Sequence, residues 1–170
     1  MVSYLLLAGV ILLVVGLSLY VLIPTYFSGY QTINNVFRAN QGYVNLPPLG
    51  SQIVKNFTVH ASGQAIIFLV TKGNANVTLL NDRGQPILNQ EKQVSIALNQ
   101  SSYSIEIINL NNATQNITYT YGLFNAESIS NFYYSLGVLE TFLDLLIVIG
   151  LGLILWYVLS LIVSRRKPRN

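Results

Sequence analysis

The chain has 170 residues, of which 52% are hydrophobic and 9% charged, with no cysteine and one histidine; a soluble domain carries about 25% charged residues, so much of this chain is built to avoid water. Absence of cysteine excludes a disulfide framework, a thiolate nucleophile and any Cys-ligated metal, and one histidine alone cannot assemble a zinc, blue-copper or haem-attachment site. The formal charge of +3 does not point to nucleic acid, because Arg165, Arg166, Lys167 and Arg169 supply more than the whole excess and no basic stripe exists elsewhere.

In chain order, Tyr4 to Ile23 is uncharged and of membrane length, and Pro24 is expected to close it because its nitrogen cannot donate to a helix. Residues 1–24 are read as a retained anchor, since Met1-Val2-Ser3 lacks a basic start and no small-residue cleavage site follows. Residues 25–52 show no periodicity and are expected to form a loosely packed connector, with an edge strand around Gly42 to Leu46 and with Tyr26 and Phe27 at the membrane interface.

From Ile53 the apolar period becomes two. Strands are expected over Ile53 to His60, Ala65 to Thr71, Ala75 to Asn81, Pro86 to Asn89, Gln93 to Leu98, Tyr103 to Leu110 and Asn116 to Phe124, separated by Gly-, Asn-, Asp- and Ser-rich turns. Ala65 to Val70 is apolar on both faces, as a central strand would be. Seven short strands over residues 53–125 imply an antiparallel β-sandwich of immunoglobulin-like or jelly-roll type.

A helix is expected to restart near Ser128 or Ser130, with Phe132, Tyr133 and Tyr134 at the outer interface, and to continue through residue 164. Leu145 to Val163 is its uncharged core, and residues 165–170 form a basic tail. Arg165, Arg166, Lys167 and Arg169 set the topology by the positive-inside rule: both termini cytoplasmic, the sandwich extracytoplasmic, the whole a two-pass protein of the cell membrane. The fold class is therefore membrane α plus all-β, with an N- and a C-terminal transmembrane helix flanking the sandwich.

Five Asn-x-Ser/Thr sequons, at Asn56, Asn76, Asn99, Asn112 and Asn116, fall in the segment assigned to the outside, and Asn99 and Asn112 at turns are the favoured acceptors. A half-buried strand rich in Asn and Thr also writes Asn-apolar-Thr by its alternation alone. Glu140 and Asp144, one helical turn apart, form either an intramembrane polar pair or, if the hydrocarbon begins at Leu145, a wet one; the wet reading is preferred. Gly9, Gly16, Gly150 and Gly152 are expected to let helices approach, and Trp156 lies too deep for an interfacial belt and is expected to pack on another helix. His60 is read as an ordinary strand residue.

No nucleophile elbow, His-Glu-x-x-His, Gly-x-Gly-x-x-Gly or Walker sequence is present, so neither a catalytic residue nor a cofactor or metal site is assigned. In its Ile-, Leu-, Asn- and Tyr-rich, cysteine-free composition the chain resembles archaeal envelope proteins. The expected role is a non-catalytic accessory subunit of a larger membrane complex, with the bilayer and an integral membrane protein as partners. The alternatives are an envelope adhesion module recognising a surface glycan or surface-layer protein, and a supporting small subunit of a membrane oxidoreductase with its redox centres in another chain.

Overall fold

The computed structural model describes residues 4–166, with side chains through 163; Lys167 and Arg169, and the side chains of Arg165 and Arg166, lie outside the described residues. The chain divides into two compact units, one from Met1–Tyr30 with Phe132–Asn170 and one from Gln31–Asn131.

In the first unit α1 (Tyr4–Tyr26) packs antiparallel on the later part of α3 (Ala126–Arg166). Both helices are long and apolar enough to cross a membrane, and only 17% and 6% of their most apolar windows are buried within the chain, unlike the core helix of a soluble protein. Pro24 does not end α1 as its missing donor suggested. The helix continues two residues further, and the Phe27 amide still donates to the Ile23 carbonyl at 3.0 Å. On either side of Gly29, which adopts a φ of 83° that favours glycine, Phe27 and Tyr30 place their rings 5.4 and 6.3 Å from that of Phe132. Phe132, expected from sequence at the outer interface, is thus packed within the chain.

The second unit holds α2 (Tyr30–Ala39) from its second residue on and eight strands: β1 (Gly42–Leu46), β2 (Ser51–Val59), β3 (Gln64–Lys72), β4 (Ala75–Leu80), β5 (Pro86–Glu91), β6 (Gln93–Leu98), β7 (Ser101–Asn109) and β8 (Gln115–Asn125). They form two antiparallel four-stranded sheets in the orders β1-β8-β3-β6 and β2-β7-β4-β5. Every connection except the β4–β5 hairpin crosses from one sheet to the other. This order fits the jelly-roll alternative and not the seven-strand immunoglobulin arrangement. β3 is central, as its two apolar faces implied, and β1 is the edge strand expected near Gly42.

Alternation builds the core. Phe68 and Ile66 of β3, Val77 and Leu79 of β4, and Ile105 and Ile107 of β7 are fully buried between the sheets, and the Phe68 ring stacks on Tyr119 with centroids 5.1 Å apart. At the β5–β6 junction Lys92, with a φ of 63°, makes a one-residue corner. Its amide donates to the Ala75 carbonyl of one sheet at 2.9 Å and its carbonyl accepts from the Val70 amide of the other at 2.7 Å.

The expected loose connector is instead structured. In α2, Ile33, Val36 and Phe37 recur at helical spacing and are half-buried. Phe37 meets the Phe124 ring of β8 at 5.5 Å, and its carbonyl accepts a hydrogen bond from the Thr120 hydroxyl. A Cβ at Gly122 would stand 2.3 Å from the Phe124 ring and 3.2 Å from Val36, so this position must be bare for ring and helix to share the sheet's outer surface. α3 starts at Ala126, earlier than either expected serine. Asn125 is its cap, its Oδ1 accepting from the Ser128 amide at 2.9 Å, and Glu127 in the first turn complements the helix dipole.

Candidate functional site

The helix pair is assembled by three of the four glycines singled out from sequence. A Cβ at Gly9 would lie 2.9 Å from the Gly150 carbonyl oxygen, one at Gly150 2.8 Å from the Gly9 carbonyl oxygen and the Leu13 nitrogen, and one at Gly16 2.9 Å from Ile147. Bare backbone on both helices is what allows this approach. Nothing lies within 4 Å of Gly152, and Trp156 is 68% exposed, so neither packs within the chain as a helix-contact residue would.

These contacts fix the register and, with it, the level of the two carboxylates. Asp144 stands three residues before Ile147, about 4.5 Å, while Ile23 stands seven residues, about 10 Å, beyond Gly16 in the same direction. Asp144 therefore sits about 6 Å inside the level at which the apolar run of α1 ends, and Glu140 sits near that level. A hydrocarbon boundary at Leu145, which would leave both acids wet, disagrees with this register if the α1 run is immersed. Asp144 is exposed beside exposed Leu145 and Val148, whereas Glu140 is half-buried, and neither takes a hydrogen bond or ion pair among the described residues.

In the strand unit the five sequons differ. Asn56 lies on edge strand β2, exposed, and its Thr58 hydroxyl is 3.0 Å from that of Ser102. Asn76 is half-buried on central strand β4, and Thr78 of its sequon is 3% exposed with its hydroxyl unpaired. Asn116 is exposed on β8 but paired in the ladder with Asn45. Asn99 occupies the β6–β7 turn, with its carbonyl accepting from the Tyr103 hydroxyl at 3.1 Å. Asn112 occupies the β7–β8 loop, exposed.

That loop is held by a residue to which sequence reasoning gave no role. Asn109 is fully buried, and its Nδ2 donates to the carbonyls of Pro47 at 2.8 Å, Ala113 at 2.9 Å and Leu46 at 3.3 Å, while its Oδ1 accepts from the Asn111 amide at 2.9 Å and from the Gln115 side chain. The signal was a polar residue at the inward phase of β7, after Tyr103, Ile105 and Ile107.

Two open clefts flank the sandwich. One is lined by Asn56, Thr58, Asp82, Ser102 and Ser104, with Phe57 and Tyr103 beneath them, and the other by Arg38, Tyr43, Asn116 and Thr118. Tyr43 is 81% exposed. Lys55 lies 5.1 Å from the centroid of the Tyr121 ring. Burial pushes the neighbouring Tyr119 phenol above the ordinary tyrosine range; Tyr121 adds to the shift and Lys55 opposes it. His60 is exposed just past β2, and among the described residues no three of His, Asp and Glu gather as a metal would require.

No protein-family model and no curated protein matches the chain. Among solved structures it is similar to the mitogen of Yersinia pseudotuberculosis (14% identity, 48% of this chain and 81% of that one, TM-score 0.40). It is also similar to PirA (12%, 49% and 94%, 0.37) and to the pre-peptidase C-terminal domain of a Bacillus anthracis collagenase (10%, 49% and 90%, 0.37). At such identities and TM-scores these likenesses say nothing of what this chain binds or does.

Proposed function

We propose that this chain is a non-catalytic accessory subunit of a larger membrane complex. α1 and α3 cross the bilayer with both termini on the cytoplasmic side, and the jelly-roll sandwich stands on the outer side. The observation that carries the docking role is the outward surface of the helix pair. With Gly9, Gly16 and Gly150 already used between α1 and α3, that surface still bears an uncovered indole at Trp156 and an uncovered carboxylate at Asp144. Lipid satisfies the Leu, Val and Ile side chains around them. It gives the carboxylate no partner, and ionisable residues within spans usually pair with another polar group. The partner is therefore an integral membrane protein presenting a cation or strong donor at that depth.

Purification of the full chain from native membranes in mild detergent tests the reading. A stoichiometric larger membrane protein is expected to co-elute with the wild type and with Asp144→Glu, and its recovery to fall at least tenfold with Asp144→Asn. A wild-type chain that elutes alone overturns the subunit role, and an Asn variant that keeps its partner overturns the role of the carboxylate.

A second reading, the envelope binding module, is favoured by the cleft that Asn56, Thr58, Asp82, Ser102 and Ser104 line with polar groups. Side-chain amides and hydroxyls of this kind supply adaptable hydrogen bonding to a ligand. Ser102→Arg together with Ser104→Arg would block that cleft, and unchanged cell-surface binding would remove this reading.

A further inference from the structure

We propose that Asn112 is the site of N-linked glycosylation and that the Asn76 sequon is not used once the sandwich has folded. The inference rests on the outer placement of the sandwich given above. A transferring enzyme must hold the asparagine amide and the hydroxyl two residues on in a segment that is not part of a strand ladder. Of the five sequons only Asn112-Ala113-Thr114 lies wholly between strands with both side chains exposed, and no hydrogen bond among the described residues occupies either of them.

The loop also has a shape suited to presentation. Asn109 pins the Ala113 carbonyl inward, the Asn111 carbonyl accepts from the Leu49 amide at 3.1 Å, and the Asn111 side chain donates to Gln115 at 3.1 Å. Residues 111 and 113 thus anchor the arch, and 112 and 114 are left outward. The other four sequons each lack one requirement. Thr58 is engaged by Ser102, Thr78 is buried, Ser101 already pairs with Val59 in the ladder, and Asn116 and Thr118 sit within central strand β8.

The chemistry needs a lipid-linked oligosaccharide diphosphate as co-substrate. The bond from the sugar's anomeric carbon to the diphosphate oxygen breaks as the bond from that carbon to Asn112 Nδ2 forms. One Nδ2 proton passes to water through a base of the transferring enzyme, and the lipid diphosphate leaves with the bonding electrons.

The test is mass spectrometry of the full chain purified from the membranes of its own host, alongside Asn112→Gln and Thr114→Ala. A glycan mass is expected on the wild-type peptide bearing Asn112 and is expected to vanish in both variants, the second of which keeps the amide. Both substitutions are at exposed loop positions, and an unchanged melting curve verifies the fold. A bare wild-type Asn112, a glycan that survives Thr114→Ala, or a glycan on Asn76 overturns the inference. A single cysteine at Ser62, in an exposed turn, separates this from failure of the topology. Labelling by an impermeant maleimide on intact cells with Asn112 bare removes only the glycan, whereas no labelling with Asn112 bare removes the outer placement as well.

Discussion

Replacing Gly150 by alanine puts one methyl group where the backbones of α1 and α3 touch. The new Cβ would stand 2.8 Å from the Gly9 carbonyl oxygen and 2.8 Å from the Leu13 nitrogen, and 3.2 Å from the Leu13 Cα. All three are main-chain atoms that no rotamer change can withdraw. Ordinary contact needs about 3.5–4.0 Å, so the helices must part by roughly 0.5–1 Å at this level and forfeit a quarter to a half of the dispersion well for the pairs around it. Overpacking of this kind costs about 1–3 kcal/mol. Gly152→Ala is the internal control, because nothing lies within 4 Å of that position. Both substitutions gain the same helix propensity, so their difference isolates the contact. Since the chain has no cysteine, dyes on cysteines introduced at Tyr4 and Ser160 report helix separation by energy transfer during unfolding in mixed micelles. Gly150→Ala should come apart at a lower denaturing-detergent fraction, by about 1–3 kcal/mol, and Gly152→Ala should match the parent within about 0.5 kcal/mol. Equal curves for the two variants would refute the register, and with it the depth assigned to Asp144.

Asn109→Ala in the full chain removes the donor shared by the Leu46, Pro47 and Ala113 carbonyls and the acceptor of the Asn111 amide. A loss of about 3 kcal/mol is expected, read as a fall of more than about 10 °C in the β-sheet melting transition by circular dichroism; a shift under about 2 °C would mean that water replaces the network. The raised Tyr119 pKa has a definite sign for stability. The unfolded chain releases this proton near the ordinary value of about 10 while the folded chain keeps it, so the folded state binds more protons above that pH. Stability is then full below about pH 10 and declines as pH rises from there toward the folded-state value. Ultraviolet titration should show a late-ionising phenol component that Tyr119→Phe diminishes, and Lys55→Met, which removes the opposing cation, should delay the Tyr119 ionisation further. Phenols that all titrate together would contradict the burial assigned to Tyr119.

Much of the secondary structure was legible because it is local. Alternation in β6, β7 and β8, the two-faced apolar run of β3 and the turn-forming separators marked the seven strands from Ile53 onward, and uninterrupted apolar runs marked both long helices. α2 was not legible. Its ten residues carry a single short stripe among Gln, Thr and Asn, and the outer sheet surface that needs it, including Thr120 and Gly122, exists only once β8 and β3 are paired. For the same reason, sequence favoured Asn99 and Asn112 alike as turn sequons and left open whether the strand sequon of Asn76 is accessible. Only the assembled sheet buries Thr78 and leaves Thr114 in the open.

Sequence by itself determined which segments avoid water, which alternate, and where the chain turns, because these depend on residues a few positions apart. Tertiary structure decided the strand order, which glycines meet, what Asn109 holds, and how deep Asp144 lies along its helix partner. Those properties belong to pairs of residues far apart in the chain, such as Gly9 with Gly150 or Leu46 with Asn109. Their energies come from distances that exist only after the chain has closed on itself.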